Sequence, residues 1–152
     1  MVKARGYYGV GIYATKDAKN IGTLWRSAHL FGASFVFTIG KRYQMDPSDT
    51  MKTERHVPLW HFGTLDQMLD VVPSGCDLIG IEQVDGKSRD LNAFAHPERC
   101  IYLLGAEDRG LPDDVIASCK HLVSIDTPRC LNVAVAGSIT MFHRNMTRSA
   151  QC

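Results

Sequence analysis

Residues 121–144 constrain the fold of this chain more than any other part of the sequence. They begin with a short apolar run, residues 122–125, which predicts a buried strand, and continue through a polar turn at residues 126–129. Asn132 then opens a run rich in alanine and valine that reaches Met146 and predicts a tightly packed helix. A strand, a tight loop and a helix starting on asparagine direct backbone N–H groups at a ligand, although an ordinary strand-to-helix connection has the same pattern.

The preceding sequence alternates between apolar runs typical of strands and amphipathic runs typical of helices. This alternation predicts an α/β domain with a largely parallel sheet flanked by helices. The predicted strands are residues 7–14, 34–39, 59–62, 77–82 and 100–104. The predicted helices start at Ile21 with Asn20 as the cap, at the Thr64 capping box, and at Pro112. Ligands bind at the carboxyl ends of parallel strands, where Glu82, the 105–110 loop and the 127–131 loop are expected.

Composition indicates a single soluble domain, residues 1–152, in a reducing cytoplasm. The five cysteines are odd in number and show no C-x-x-C spacing, which argues against a disulfide framework and against a zinc site. The six histidines lack ligand spacing, so no metal is expected, and no apolar run reaches membrane-spanning length. Gly9 and Gly11 form a G-x-G pair without the third glycine, which excludes a dinucleotide-binding oxidoreductase and suggests close packing.

The charge is distributed unevenly along the chain. Up to Leu59 there are nine basic and four acidic residues, a net charge of +5, whereas the remainder has eight basic and twelve acidic residues, a net charge of −4. A basic first part predicts a polyanionic partner, and basic residues mixed with an aromatic between residues 40 and 58 suit RNA. A solvated, exposed connection explains the same pattern. The candidate RNA-binding residues are Lys41, Arg42, Lys52 and Arg55.

Three motifs, in this order and spacing, resemble those of the SpoU/TrmH-type RNA ribose 2'-O-methyltransferases of the SPOUT class. The first is N-I-G-T-L-W-R, from Asn20 to Arg26, and the second is L-G-A-E-D-R-G-L, starting at Leu104. The third is I-D-T-P-R-C-L-N-V-A-V-A, starting at Ile125. Two positions depart from the family pattern: Cys130 stands where many relatives have serine, and Asp126 replaces a common proline.

The resemblance implies a fold of five or six strands whose C-terminal segment forms a deep trefoil knot. It also implies a homodimer and S-adenosyl-L-methionine as the cofactor. Arg26 would be the catalytic residue, with Asn20, Glu107 and Asn132 arranging the site. The residues that would bind the cofactor are Glu82, Leu104, Gly105, Ile125, Cys130, Leu131 and Val133.

The implied activity is S-adenosylmethionine-dependent methylation of an RNA ribose 2'-oxygen, with transfer RNA as the expected substrate. A ribosomal RNA 2'-O-methyltransferase and a catalytically silent, knotted RNA-binding protein are the alternatives. Because no RNA-binding module is expected outside this domain, the basic first part of the chain is expected to contact the RNA.

Overall fold

The computed structural model describes residues 6–40 and 56–150. Seven strands lie within these residues: β1 (Tyr7–Tyr13), β2 (Phe35–Ile39), β3 (Leu59–Phe62), β4 (Asp77–Ile81), β5 (Arg89–Asp90), β6 (Arg99–Leu104) and β7 (His121–Ser124). The helices of the same part of the chain are α1 (Ala18–Phe31), α2 (Leu65–Val71), α3 (Asp113–Ser118) and α4 (Val133–Ala150), with a short 3-10 helix at Leu91–Ala93. The alternation predicted from the sequence is therefore confirmed.

The strands form one parallel sheet in the order β3-β2-β1-β6-β4-β7-β5. The resemblance implies five or six strands, and the described residues contain seven. The additional strand is β5, which has two residues and lies at one edge of the sheet. A strand this short carries no periodicity that a sequence could reveal. Since every strand runs in the same direction, all the loops that follow the strands meet at one edge of the sheet.

The two glycines of β1 are required by packing. A Cβ atom at Gly9 would lie 2.4 Å from the Phe35 ring, and one at Gly11 would lie 2.5 Å from the Phe37 ring. The rings of the neighbouring strand therefore cover the backbone of β1 directly. The close packing predicted for this G-x-G pair is confirmed, and no ligand is needed to explain it.

Helices cover both faces of the sheet. On one face α1 and α4 contribute to the core, and α1 presents the apolar stripe predicted for it, with Ile21, Leu24, Trp25 and Ala28 buried. On the other face α2 and α3 contribute Met68 and Val115. Parallel strands buried on both faces are expected to be almost continuously apolar, as the five buried residues of β2 are.

Helix α1 begins earlier than predicted. Asp17, and not Asn20, is its N-cap, because the Asp17 side chain accepts a 2.9 Å hydrogen bond from the backbone N–H of Lys19. Asn20 therefore lies in the first turn of the helix. It is buried, and its side-chain amide does not cap the helix. Gly32 ends the helix in the left-handed conformation, at φ 83°, as predicted.

Helices α1 and α4 approach each other closely. Gly137 permits the approach, since a Cβ atom there would lie 2.4 Å from a methyl carbon of Leu24. Two hydrogen bonds join the helices: Ser138 Oγ donates to Ser27 Oγ at 2.8 Å, and Asn145 Nδ2 donates to the Phe31 carbonyl at 3.0 Å. The small residues that the sequence places in α4 serve this contact. No helix in residues 6–40 or 56–150 is long and apolar enough to cross a membrane.

Arg144 of α4 is fully buried, which its charge did not predict. Its guanidinium donates to the carbonyls of Pro97 at 2.7 Å and Glu98 at 2.9 Å, and it lies 4.7 Å from the centre of the Tyr8 ring. Backbone carbonyls and a ring face thus replace the water that would solvate this cation. Arg144 fastens the second half of α4 to the segment that leads into β6.

Candidate active site

A cleft of about 320 Å³ opens at the carboxyl edge of the sheet, beside the ends of β4, β6 and β7. Its walls come from the ends of these strands, from the 105–110 and 127–131 loops and from the first turn of α4. Small-molecule sites in proteins typically start at about 300 Å³, so the cleft has the size of a cofactor site. All the residues predicted to bind the cofactor line it: Glu82, Leu104, Gly105, Ile125, Cys130, Leu131 and Val133.

The 105–110 loop folds back on itself at the cleft. Ala106 and Gly110 form an antiparallel bridge, with a 2.9 Å hydrogen bond from Gly110 N–H to the Ala106 carbonyl. A Cβ atom at Gly105 would lie 2.3 Å from the carbonyl carbon of Gly110. Gly105 is therefore required by the backbone of its own loop, and a larger residue would disrupt the loop before it could obstruct a ligand.

Glu82 holds this loop against the end of β4. Its Oε2 accepts a 2.9 Å hydrogen bond from the backbone N–H of the buried Leu111, and its Oε1 accepts one from Gln83 N–H at 3.2 Å. Gly110 leaves room for the carboxylate, since a Cβ atom there would lie 2.5 Å from Oε2. The sequence predicts Glu82 as a cofactor ligand; its role in shaping the loop was not predicted.

Three side chains predicted to arrange the site are joined by hydrogen bonds. Asn20 Nδ2 donates to Glu107 Oε1, and Asn132 Nδ2 donates to Asn20 Oδ1 at 2.9 Å. Asn132 also caps α4, because its Oδ1 accepts from the N–H groups of Ala134 at 2.9 Å and Val135 at 3.2 Å. One residue from each of the three motifs thus meets beside the cleft.

Thr15 also contacts this network and Lys16 contacts the neighbouring Asp108, and the sequence predicts a role for neither. The buried Thr15 donates from Oγ1 to Glu107 Oε1 at 3.3 Å, and Lys16 Nζ bonds to the carboxylate of Asp108. The Lys16 hydrogen bond lowers the pKa of Asp108. Ala14, at φ 52°, turns the chain sharply between β1 and these residues. The position of Thr15 just beyond the carboxyl end of a central strand is the signal that could have identified it.

Arg26 does not line the cleft of its own chain. It is exposed on α1 and forms no hydrogen bond or ion pair with another described residue. A helix turns about 100° per residue, so Arg26 projects about 120° away from Asn20 around the helix axis. Six residues are not a whole number of helical turns, so Arg26 and Asn20 project from different sides of α1.

The candidate RNA-binding residues Lys41, Arg42, Lys52 and Arg55 lie outside the described residues. Within residues 6–40 and 56–150, no group of three or more histidine, cysteine, aspartate or glutamate side chains is placed to hold a metal ion.

The fold and the motifs at the cleft are those of an RNA methylase family. Residues 9–142 match the model of the SpoU rRNA Methylase family, and the chain belongs to this family.

Individual relatives are similar to this chain at low sequence identity. The chain is 27% identical over 143 residues to the mouse tRNA (guanosine(18)-2'-O)-methyltransferase TARBP1; the match covers 88% of this chain and 9% of TARBP1. The SpoU methyltransferase AviRb from Streptomyces viridochromogenes, in complex with the cofactor AdoMet, superposes with a TM-score of 0.84 at 21% identity, over 95% of this chain and 62% of AviRb. A structure addressing the 2-OH methylation of C/U34 on tRNA matches with a TM-score of 0.77 at 23% identity, over 94% and 98% of the two chains.

Proposed function

We propose that this chain, as a single domain over residues 1–152, is an S-adenosylmethionine-dependent RNA ribose 2'-O-methyltransferase that acts on transfer RNA. The observation that carries the proposal is the meeting of Asn20, Glu107 and Asn132 beside one cleft. These residues come from three separate motifs, and each could be explained alone as a cap or a surface residue. Their joint position at the carboxyl edge of a parallel sheet is typical of a ligand site. Membership of the SpoU family supports the same reaction class.

The composition of the cleft fits S-adenosylmethionine. Aliphatic walls from residues such as Leu104, Ile125 and Leu131 suit an adenine ring, and the exposed backbone of Gly105 offers hydrogen-bonding groups without a side chain. Cys130 lies in the cleft as an exposed thiol. The cofactor bound to AviRb supports this choice of ligand.

When bound, S-adenosylmethionine supplies a methyl group already activated on a sulfonium, so the protein has to align and polarise a ribose hydroxyl. Arg26 stabilises the negative charge that develops on the 2'-oxygen, because a guanidinium stays protonated and cannot act as a base. Asn20 and Glu107 hold the loop that borders the cleft, and Asn132 fixes the start of α4.

We propose a homodimer formed through α4. Val135, Ile139, Phe142 and Met146 are 44%, 36%, 52% and 57% exposed, and their spacing of four, three and four residues places them on one stripe of the helix. Leu30 of α1, 68% exposed, adds to the apolar surface. Pairing of two such stripes would cover them, and it would let Arg26 of one chain face the cleft of its partner.

The dimer is tested with Phe142→Glu, which places a charge in the stripe without touching the cleft. We expect sedimentation at micromolar concentration to give a dimer for the wild-type chain and a monomer for Phe142→Glu. The variant Asp70→Lys, a charge change on the exposed surface of α2, serves as the control and should remain dimeric. A monomeric wild-type chain would contradict the proposal.

We also propose the deep trefoil knot implied by the family, with α4 passing through a loop of the chain. A knot withholds residues when a protein is stretched. Pulling the two termini apart in an optical trap should therefore give a final length shorter than about 3.3–3.6 Å per residue allows for the whole chain. Full extension would exclude the knot.

The reaction is tested by incubating the protein with methyl-labelled S-adenosylmethionine and total RNA. We expect the label in transfer RNA, on a ribose, where it blocks alkaline cleavage at the modified linkage. Label in ribosomal RNA would select the alternative substrate, and cofactor-independent RNA binding without transfer would select a silent RNA-binding protein. We place the protein in the cytoplasm, consistent with its free cysteines and this substrate, and imaging of a fluorescent fusion tests the location.

A further inference from the structure

The charged side chains of the cleft fall into two groups. Three are acidic, Glu82, Glu107 and Asp108, and each carboxylate is already engaged within the protein. Their partners are respectively a backbone N–H, an asparagine amide and a lysine ammonium. These carboxylates therefore shape the loops around the cleft, and their charge is directed at protein groups.

The two basic residues of the cleft have no hydrogen-bonded or ion-paired partner among the described residues. Arg109 lies in the 105–110 loop and Arg129 in the 127–131 loop, and both are exposed while lining the cleft. Neither guanidinium forms a hydrogen bond or an ion pair with another residue in the described part of the chain. The backbone at Arg129 is fixed, because Thr127 Oγ1 donates a 2.7 Å hydrogen bond to the Arg129 carbonyl. Two planar groups, each with five donors, are thus available at the mouth of the cleft.

We propose that Arg109 and Arg129 bind an RNA phosphate next to the ribose that is methylated. This inference rests on the proposed function and identifies residues of the substrate site. In RNA the carbon bearing the 2'-oxygen is bonded to the carbon whose oxygen carries the 3'-phosphate. A ribose presented to the cleft consequently brings a phosphate to its mouth. Guanidinium groups bind phosphate through paired hydrogen bonds, which suits this geometry better than a single point charge does.

The experiment compares Arg109→Gln, Arg129→Gln and the double variant with the wild-type chain. Arg99→Gln is the matched control, since Arg99 is an exposed arginine at the opposite end of β6 from the cleft. Binding of unfractionated transfer RNA is measured over a range of salt concentrations, and binding of S-adenosylhomocysteine is measured by calorimetry. Methyl transfer by the wild-type chain is recorded with the same RNA.

We expect each cleft variant to weaken RNA binding several-fold and to flatten the log–log salt dependence by about 0.7–0.9 unit. Arg99→Gln should keep the wild-type slope, and S-adenosylhomocysteine affinity should be unchanged throughout. Slopes equal to that of Arg99→Gln, or a wild-type chain without salt-dependent RNA binding, would overturn the inference. Weaker S-adenosylhomocysteine binding with unchanged RNA binding would instead assign the arginines to the cofactor carboxylate. If the wild-type chain transfers no methyl group, the proposed function is refuted. The salt dependence of RNA binding would still test the role of the two arginines, because it is measured without methyl transfer.

Discussion

The side-chain amide of Asn132 donates a 2.9 Å hydrogen bond to the amide oxygen of Asn20. The amide nitrogen of Asn20 then faces Glu107 and donates a hydrogen bond to its carboxylate. Only one orientation of the Asn20 amide allows both hydrogen bonds. Because Asn132 also caps α4, the start of that helix and the 105–110 loop are held at a fixed distance by two side chains. A change at any of the three residues should be transmitted to the other two.

The two roles of Asn132 are separable by substitution. Asn132→Ala removes both the cap and the bond to Asn20, whereas Asn132→Ser keeps a capping oxygen and loses the amide donor. We expect Asn132→Ala to lose about 2 kcal/mol of unfolding free energy, from the cap and the bond together, and Asn132→Ser to lose about 1 kcal/mol, from the bond alone. Both variants should show reduced methyl transfer. Denaturant unfolding and turnover measure the two effects, and full activity in Asn132→Ser would show that the bond to Asn20 is dispensable.

Glu82 should act on the cofactor through the loop that it holds. Glu82→Ala leaves the buried N–H of Leu111 without its acceptor, which costs about 1–3 kcal/mol. Glu82→Gln keeps an acceptor oxygen and should be close to wild type in stability. If Glu82→Ala binds S-adenosylhomocysteine weakly and Glu82→Gln binds it as the wild-type chain does, Glu82 acts by holding the loop. Weak binding by a stable Glu82→Gln would instead indicate direct contact between the carboxylate and the cofactor.

Arg26 should be needed for chemistry and act on the partner chain. It is exposed, so Arg26→Ala should change the unfolding free energy by less than about 0.5 kcal/mol and still abolish methyl transfer. Glu107→Ala should be inactive for a different reason, since its cleft is damaged. When the two variants are mixed and exchange subunits, one site of each mixed dimer is intact, and about a quarter of wild-type activity should return. Mixtures that remain inactive would place Arg26 at its own cleft or outside the mechanism.

The buried His96 should make the fold sensitive to acid. Burial, followed by the charges on His143, Arg144 and Arg148, lowers the pKa of His96 from 6.5 to about 3. The unfolded chain therefore binds a proton below pH 6.5 that the folded chain does not bind until about pH 3. The contribution of this group to the free energy of unfolding is complete above pH 6.5. It falls by about 1.4 kcal/mol per pH unit as the pH decreases from 6.5 to about 3. His96→Gln should flatten this dependence in denaturant unfolding at several pH values, and an unchanged dependence would assign it to other groups.

Two glycines in the paired helices α1 and α4 should respond to alanine in opposite ways. At Gly137 the new methyl group would collide with Leu24, so Gly137→Ala should destabilise the protein and separate α1 from α4. At Gly22 nothing lies within 4 Å, and Gly22→Ala should stabilise the fold by about 0.5–1 kcal/mol. Thermal unfolding of both variants measures the contrast. Similar shifts in melting temperature would mean that the α1–α4 contact tolerates expansion.

Much of this arrangement was predictable because a parallel sheet gathers its loops at one edge. Once the strands were assigned, Glu82, Gly105 and Leu131 had to lie near one another, and they do. Short-range signals also worked: Asn132 caps α4 and Gly32 ends α1 as their residue types predict. The start of α1 was not predictable, since Asp17 and Asn20 are both good capping residues. In the structure Asp17 caps the helix and the Asn20 amide bonds to Glu107.

Features that depend on distant partners were beyond the sequence. The complete burial of Arg144 requires the carbonyls of Pro97 and Glu98 to accept its hydrogen bonds, and no local sequence pattern predicts that these carbonyls face it. The side of α1 from which Arg26 projects does not follow from its place in the first motif, because motif spacing records which residues occur together and not where each side chain points. Thr15 was missed because its residue type is common in loops, and its contact with Glu107 joins residues far apart in sequence.

The position of β6 between β1 and β4 has a consequence for synthesis of the chain. Tyr7 pairs with Arg99, so β1 leaves the ribosome long before β6, and the centre of the sheet cannot close until β6 has followed. During that interval β1 and β4 each present an unpaired edge of backbone N–H and carbonyl groups, which invites pairing with other nascent chains. We therefore expect the sheet to form slowly relative to folds built from local contacts. Pairing with other nascent chains is most favoured just before β6 emerges.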